Sequence, residues 1–255
     1  MNHPIAIVNR KGGSGKTVTA FNLAGALAEA GRTVLVIDLD PQGSLTKGLG
    51  ISPDEIALSQ VLLGGGEGFT DLIQPTHVER LHAIPADPGL NAIETGLREV
   101  PGRELRLRRC LTKFLTRDFD YILADCPPSL GSLSQNALVA ARDALIPLDC
   151  GTYGRDALGT TLDVIQFIKE EINYNLRLLG VLVSNVKPNT TYDAMAEAAI
   201  REQFGDLVFR AVIPNSIKID EAAEARLPLV AYQRRSPIAE LYRDLAREIE
   251  GRVGG

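Results

Sequence analysis

A short glycine-rich segment near the N-terminus constrains the fold of this chain more than any other feature. Residues 11–17 read Lys-Gly-Gly-Ser-Gly-Lys-Thr, follow the apolar run Ile5–Val8 and precede helical spacing over Val18–Ala30. A tight glycine-rich turn that opens a helix directs several backbone N–H groups toward one point, which suits a phosphate group. Strand, loop and helix together predict a phosphate-binding loop within an α/β domain.

Short apolar runs rich in β-branched residues alternate with segments of helical periodicity along the rest of the chain. After Ile5–Val8, strands are predicted at 34–37, 81–84, 121–124, 144–148, 178–183 and 208–213. This alternation predicts a doubly wound, mostly parallel sheet with helices on both faces. A length of 255 residues predicts that 1–255 form a single domain. Gly64–Thr70 begins with three glycines and is expected to be a flexible surface loop.

The composition favours a protein of the reducing cytoplasm. Three cysteines without a CxxC spacing predict neither a disulfide framework nor a zinc site. The apolar run near the N-terminus is too short for a secretory signal, and no stretch of about 18 apolar residues predicts a transmembrane segment. A net charge of -5 argues against a uniformly basic surface but leaves a local nucleic-acid-binding patch open.

The residue types in the loop predict ATP and Mg²⁺ as its ligands. The glycines form the turn, Lys16 supplies a positive charge for the β and γ phosphates, and Thr17 offers a hydroxyl to Mg²⁺. Glycines alone would also fit an ordinary loop, but the lysine, the threonine and the flanking elements favour the nucleotide. The predicted nucleotide-binding residues here are Lys11, Gly12, Gly13, Ser14, Gly15, Lys16, Thr17 and Val18.

Two carboxylates follow predicted strands and are candidates for the metal site. Asp125 ends the apolar run 121–124 and is followed by Pro127-Pro128, whereas Asp40 follows the run 34–37. Mg²⁺ prefers oxygen ligands and keeps part of its water shell, so Thr17, Asp40 and Asp125 are the predicted metal residues. An ordinary turn or helix-capping role remains the alternative for either aspartate.

Four segments resemble the ParA/Soj/MinD family of deviant Walker-A ATPases. In the loop, Arg10 replaces the first glycine of the usual pattern, and a second lysine, Lys11, precedes the glycines. Residues 38–43 resemble the switch I of that family, 125–129 its Walker B and switch II, and 212–214 the strand end near the adenine. The four segments occur in the family's order from residue 9 to about 214.

The resemblance implies a homodimer that forms on ATP. Lys11 would reach the phosphates bound by the other subunit, while Lys16 serves its own nucleotide. Asp40 would orient the attacking water, and Asp38 would support Thr17 and the metal shell. The implied catalytic residues are therefore Lys11, Lys16, Asp40 and Asp125, and the implied adenine contacts are Asn185 and Pro214.

The resemblance also implies nonspecific, salt-sensitive DNA binding, a cytoplasmic and nucleoid-associated location, and a ParB-like or other adaptor that stimulates a slow ATPase. The cargo would be a plasmid, a chromosome origin or a protein complex. Asn189 and Asn215 occupy positions where arginines are expected, which weakens the DNA assignment. The candidate DNA contacts are Lys187, Lys218, Arg226, Arg234 and Arg235.

Two other functions remain open. A MinD-like regulator would cycle on a membrane, but the predicted final helix, Pro237–Arg252, mixes acidic and basic residues on its polar face and favours core packing. A metabolic ATP-dependent enzyme of related fold, such as a ligase or reductase, would need a substrate pocket that the sequence does not identify.

Overall fold

The central sheet of this protein has seven strands in the order β3-β4-β2-β5-β1-β6-β7. The structure, a computed structural model, describes residues 2–54, 56–96, 102–115, 118–187 and 191–254. All neighbouring strands pair in parallel except β3 and β4, which confirms the mostly parallel sheet. The strands are β1 (His3–Ile7), β2 (Val34–Asp38), β3 (Gln74–Pro75), β4 (Leu81–Ile84), β5 (Tyr121–Asp125), β6 (Asp143–Leu148) and β7 (Arg177–Val183).

Helices cover both faces of the sheet, as a doubly wound fold requires. One buried apolar cluster packs α3 to α8 on one face, and a second packs α1, α2 and α9 to α11 on the other. In the described part of the chain, no helix is both long enough and apolar enough to span a bilayer. The α-helices are α1 (Lys16–Glu29), α2 (Ser44–Gly48), α3 (Leu58–Gly64), α4 (Leu90–Gly96), α5 (Arg106–Arg109), α6 (Ser132–Ala140), α7 (Thr152–Glu171), α8 (Thr191–Phe204), α9 (Ile217–Glu224), α10 (Leu229–Tyr232) and α11 (Pro237–Gly254).

The strand order brings the glycine loop and the predicted aspartates to one edge of the sheet. β5 lies between β1 and β2, with Asp125 in register with Ile7 on one side and with Asp38 on the other. The glycine loop follows β1. Because β1, β5 and β2 end at the same edge, the loop lies beside Asp125 and the segment that carries Asp40. Ligands of open α/β sheets bind at this carboxyl edge of the strands.

Helix α1 packs closely against the C-terminal part of the chain. A Cβ atom on Gly25 would lie 2.4 Å from Cβ of Pro228, so only glycine permits this approach. Asn22 accepts a hydrogen bond from the backbone N–H of Leu229 at 2.8 Å. Arg243 of α11 forms an ion pair with Glu29 at 2.6 Å. The helix that carries Lys16 is thereby held by the last third of the chain.

The predicted strand at 208–213 is wrong as a continuous strand. Its backbone meets β7 and the segment after it in isolated bridges, Val181 with Val208 and Val186 with Pro214. The Arg252 guanidinium stacks 4.1 Å from the Phe209 ring and donates to the Val208 carbonyl at 3.3 Å. A side chain of α11 therefore packs on this segment, which forms isolated bridges rather than a regular strand.

The expectation of a flexible surface loop at Gly64–Thr70 is also wrong. Phe69 is fully buried and begins a 3₁₀ turn, Phe69–Leu72. Gly65, Gly66 and Gly68 all have positive φ, the backbone region that glycine adopts without strain. The glycines form a tight turn that returns the chain to the core.

Candidate nucleotide-binding site

The glycine loop wraps the start of α1 in the conformation that its sequence predicts. Gly13 and Gly15 have φ values of 73° and 89°, in the left-handed region. The Ser184 hydroxyl, just beyond β7, donates to the Ser14 carbonyl at 2.7 Å. A Cβ on Gly15 would lie 3.1 Å from that hydroxyl, so a side chain there would crowd the contact. The loop is fixed against the sheet while its backbone borders an open cleft.

This cleft has a volume of about 340 Å³ and lies at the carboxyl edge of the sheet. Sequence reasoning did not assign to this site several residues that also border it, among them Ser216, Asp220 and Tyr242. They come from the C-terminal part of the chain, and only the fold shows that they meet the loop. The predicted residues that border the cleft are Gly12, Gly13, Gly15, Lys16, Thr17, Val18, Asp40, Asn185 and Pro214.

Lys16 places a buried positive charge beside the cleft. Its side chain bends back to donate to the Lys11 carbonyl at 3.0 Å, and the residue is 6% exposed. Burial lowers the pKa of Lys16, while the charges of Asp125 and Asp40 act in the opposite direction. An ammonium group has three protons to donate, so this geometry leaves donor capacity for a polyphosphate.

Asp125 is fully buried between β1 and β2. Burial, followed by the neighbouring charge of Asp38, raises the pKa of Asp125 well above its usual range, and a hydrogen bond from the Thr17 hydroxyl acts against that rise. In the described part of the chain, no protein group makes a hydrogen bond of regular geometry to either carboxylate oxygen. A buried carboxylate in this state is costly without a cation. Thr17 and Asp125 therefore fit a bound Mg²⁺.

Thr17 and Asp125 can supply only part of the coordination of Mg²⁺, and phosphate oxygens and water would supply the rest. Within the described ranges, no group of three or more His, Cys, Asp and Glu side chains is arranged to hold a metal on its own. Mg²⁺ commonly binds through one or two carboxylates together with substrate phosphates and waters, and so needs no such cage.

Asp38 contacts α2 rather than the loop, which corrects the expectation that it supports Thr17. Its carboxylate accepts hydrogen bonds from the Thr46 hydroxyl at 2.7 Å and from the Thr46 N–H at 2.8 Å. It also accepts the Asp40 N–H at 3.1 Å. Burial raises the pKa of Asp38 to about 6, although these hydrogen bonds lower it. Asp38 anchors the segment that presents Asp40.

Asp40 lies beyond the end of β2, on the segment that borders the cleft. It is only partly buried, and its carboxylate accepts the Gln42 N–H at 3.0 Å. Lys47 donates to the Gln42 carbonyl at 2.8 Å and holds the same turn. A partly exposed carboxylate on a loop is free to reach a water molecule in the cleft.

Lys11 forms an ion pair within its own chain. Its Nζ lies 2.6 Å and 2.8 Å from the two carboxylate oxygens of Asp149, which follows β6. The Lys11 N–H donates to the Asn9 side chain at 2.9 Å. Arg10, whose role the sequence left open, donates to the hydroxyls of Thr160 and Thr161 on α7. Sequence reasoning missed Asp149, although an acid directly after a predicted strand could have drawn attention to it.

The candidate DNA contacts are spread over several elements. Lys218 is paired with Glu221 at 2.9 Å, and Arg226 packs against Gly50. Lys187 follows the β7 end, Arg234 borders a separate cleft, and Arg235 is exposed. Asn215 donates to Asn185 at 2.6 Å beside the nucleotide cleft. Asn189 lies outside the described residues, so DNA contact by the five basic residues stays a prediction.

Comparisons with known proteins extend over nearly the whole chain. A family model described as an AAA domain matches residues 2–178. The sporulation initiation inhibitor protein Soj of Bacillus subtilis (strain 168) is 38% identical over 251 residues, which cover 98% of each chain. A solved structure of cobyrinic acid a,c-diamide synthase from Mycobacterium smegmatis, with bound ATP analogue and magnesium, is 35% identical with a TM-score of 0.84, over 97% of this chain and 93% of that chain. Apo McdA from Cyanothece is 28% identical with a TM-score of 0.87, over 100% of both chains.

Proposed function

This chain belongs to the ParA/Soj/MinD family of ATPases, and we propose that it uses ATP-dependent dimerisation to position a cellular cargo. The observation that carries the proposal is the cleft where Lys16, Thr17 and Asp40 meet, with the unsatisfied carboxylate of Asp125 beside Thr17. A buried cation, a hydroxyl and two carboxylates at the start of a helix match what a nucleoside triphosphate with Mg²⁺ needs.

Each residue of the cleft has a distinct part in ATP hydrolysis. The loop N–H groups and Lys16 bind and orient the phosphates, and Thr17 with Asp125 would hold Mg²⁺, which neutralises charge on the phosphate oxygens. Asp40 orients the attacking water. Asn185 and Pro214 border the same cleft and would contact the adenine. The ATP analogue and magnesium in the M. smegmatis structure support this ligand assignment.

The proposal that the protein dimerises on ATP depends on Lys11. As a second lysine beside the glycines, it would supply positive charge to the nucleotide of the other subunit, as an arginine finger does in trans. In the single chain its ammonium is 2.6 Å from Asp149, so this ion pair has to open before Lys11 can cross to a partner. A switch of this kind couples the presence of ATP to the formation of the dimer.

In the cell, the dimer would bind DNA without sequence preference in the cytoplasm, on the nucleoid. A ParB-like or other adaptor would stimulate hydrolysis and return the protein to monomers. Homology to Soj and ParA partitioning proteins supports a role in positioning a plasmid, a chromosome origin or a protein complex.

The MinD-like alternative requires a membrane-binding helix, and the polar face of α11 argues against it. Arg243, Arg247 and Arg252 are all paired with acidic residues, with N–O distances of 2.8 Å or less in each case. Paired arginines offer little net charge to anionic lipids. The metabolic alternative rests on the name of the M. smegmatis enzyme.

Retention of a nonspecific DNA duplex in the presence of ATP or ADP tests the proposal. We expect a gel shift with ATP and Mg²⁺ at low salt, which weakens as salt rises and is absent with ADP. No ATP-dependent shift at low salt would contradict the DNA-bound switch. Parallel sedimentation with anionic vesicles tests the alternative, because ATP-dependent binding to vesicles instead of DNA would favour the MinD-like function.

A further inference from the structure

The ion pair between Lys11 and Asp149 is better protected than an ordinary surface pair. Nζ of Lys11 lies 2.6 Å and 2.8 Å from the two carboxylate oxygens of Asp149, so one ammonium group contacts both oxygens. The two side chains are only 25% and 15% exposed, respectively. Fully exposed pairs contribute little to stability because water screens them. Partial burial and contact with both oxygens strengthen this pair.

The start of α7 leaves space for the Lys11 ammonium. Gly151 precedes this helix, and a Cβ atom there would lie 3.2 Å from Nζ of Lys11 and 3.6 Å from a carboxylate oxygen of Asp149. Gly151 has a φ of -66°, which any residue can adopt, so the backbone conformation does not require glycine here. The missing side chain instead provides room for the lysine beside the carboxylate.

The backbone of Lys11 is fixed to the strand that leads into Asp149. The fully buried Asn9 accepts the Lys11 N–H at 2.9 Å and donates to the Pro147 carbonyl of β6 at 2.7 Å. Asp149 follows the last residue of β6 directly. Because the loop and the carboxylate are both held by β6, Lys11 can leave Asp149 by rotation of its side chain alone.

We propose that Asp149 is an autoinhibitory latch, which holds Lys11 away from a partner subunit and thereby sets the protein concentration at which the ATP-bound dimer forms. The inference rests on the proposed dimerisation through Lys11 and adds its regulation. Lys11 has to leave both carboxylate oxygens to reach phosphates bound by another chain. The nucleotide of the partner therefore competes with Asp149 for the same ammonium group.

Both subunits of a symmetric dimer contain the latch, which makes dimerisation steeply sensitive to it. A charge-assisted pair of this kind favours the closed form by about tenfold. The apparent affinity of a binding-competent form falls in proportion to its population. Because a dimer needs two open chains, the latch raises the dimer dissociation constant by the square of that factor, about a hundredfold.

Two variants of the full chain open the latch by different means. Asp149→Asn removes the negative charge from the contact. Gly151→Ala leaves every charge in place and puts a methyl group against Nζ of Lys11. Asp163→Asn, at an exposed residue of α7, is the matched control for the loss of one negative charge. Thermal unfolding measures whether each variant is folded.

Acetylation of Lys11 measures the latch in the monomer without nucleotide. The reagent is N-hydroxysuccinimidyl acetate, and peptide mass spectrometry gives the rate at Lys11 relative to the exposed Lys113 of the same chain. Lys11 should react about tenfold faster in Asp149→Asn, since the open form then predominates. Gly151→Ala should also react faster, and Asp163→Asn should match wild type. An unchanged rate at Lys11 in Asp149→Asn overturns the latch.

Sedimentation velocity with a non-hydrolysable ATP analogue and Mg²⁺ measures the dimer dissociation constant. Asp149→Asn should lower this constant by about a hundredfold, and Gly151→Ala should lower it less. Asp163→Asn should stay within about twofold of wild type. Faster acetylation without tighter dimerisation in Asp149→Asn overturns the latch, and so does equal tightening in Asp163→Asn, which would show a general effect of charge.

These outcomes separate the latch from the proposed function. If wild type, Asp149→Asn and Gly151→Ala all stay monomeric with the analogue and Mg²⁺, the proposed dimerisation is contradicted and the latch with it. If wild type dimerises but Asp149→Asn dimerises no more tightly, the latch alone is overturned and the proposed function stands.

Discussion

At the scale of single residues, the site is defined by buried charges that have few protein partners. Lys16 is 6% exposed and has a hydrogen bond to a backbone carbonyl, while Asp125 is fully buried with both oxygens unsatisfied. Such groups destabilise a folded chain unless a ligand compensates them. Their cost in the free protein is consistent with strong stabilisation by a bound nucleotide.

Replacement of the loop lysine tests this view directly. We expect Lys16→Ala to weaken ATP binding by at least roughly a hundredfold, because the buried charge facing the phosphates is removed. Isothermal titration calorimetry measures the affinity. Lys113→Ala, at an exposed lysine outside the cleft, serves as the matched control and should bind ATP as wild type does. Equal affinities for the two variants would contradict the role given to Lys16.

Asp38 gives stability a defined pH dependence. Burial raises the pKa of Asp38 to about 6 in the folded protein, whereas an unfolded aspartate titrates near about 3.9. Between about pH 4 and about pH 6, Asp38 is protonated in the folded state but ionised in the unfolded state. The contribution of Asp38 to the free energy of unfolding therefore falls as the pH rises through this range. Asp38→Asn removes this dependence and adds a constant cost for its altered hydrogen bonds.

The unfolding free energy of Asp38→Asn relative to wild type should therefore rise between pH 4.5 and pH 7 by on the order of 2 kcal/mol. Urea denaturation in EDTA at the two pH values measures this change. The cost of the altered hydrogen bonds cancels in the comparison, and the loss of the Asp38 charge, which lowers the pKa of Asp125, acts in the same direction. A difference between variant and wild type that is the same at both pH values would show that Asp38 titrates normally.

The residues that could be predicted from sequence are those close to a recognisable local pattern. Lys16 and Thr17 follow directly from the glycine turn, and Asp125 ends an apolar run. Asp149 and Tyr242 come to the site from distant parts of the chain through packing. The position of Asp149 after a predicted strand is a local signal, but no local pattern reports that it pairs with Lys11 or that Tyr242 borders the cleft.

At the scale of elements, the sheet was predictable because its strands are short buried runs bounded by turns. The two errors, at Gly64–Thr70 and at residues 208–213, have a common cause. Propensity describes a segment in isolation. In the first segment Phe69 is buried in the core, and in the second Arg252 of α11 packs on Phe209 and donates to the Val208 carbonyl. Tertiary contacts override local preference in both segments.

Two phenylalanine substitutions measure how much Phe69, which anchors the glycine turn in the core, contributes to the free energy of unfolding. Phe69→Ala removes a fully buried ring and should lower the free energy of unfolding by about 3–5 kcal/mol. Phe167→Ala, on α7, removes a ring that is 59% exposed and should cost less than about 1 kcal/mol. Urea denaturation compares the two. Similar small losses would mean that Phe69 does not anchor the segment.

At the scale of the whole molecule, nucleotide-dependent dimerisation is the property to measure. Asp40→Ala should bind ATP without hydrolysing it and accumulate as a dimer, whereas Lys11→Ala with Asp40→Ala should stay monomeric because the charge supplied across the interface is gone. Size-exclusion chromatography with light scattering in ATP and Mg²⁺ gives the mass of each. An Asp40→Ala protein that remains monomeric with ATP would contradict the role of Asp40.

The packing of the C-terminal helix against the loop helix has a consequence for hydrogen exchange. Tyr242 of α11 is fully buried and borders the nucleotide cleft, and Gly25 brings α1 into direct contact with Pro228. A ligand at a hundredfold excess over its Kd stabilises the closed form by about 2.7 kcal/mol against any opening that abolishes binding. Amide protons of α11 that exchange only through such an opening therefore slow about a hundredfold when ATP binds. Amide exchange in α11 therefore reports on nucleotide binding at the phosphate loop.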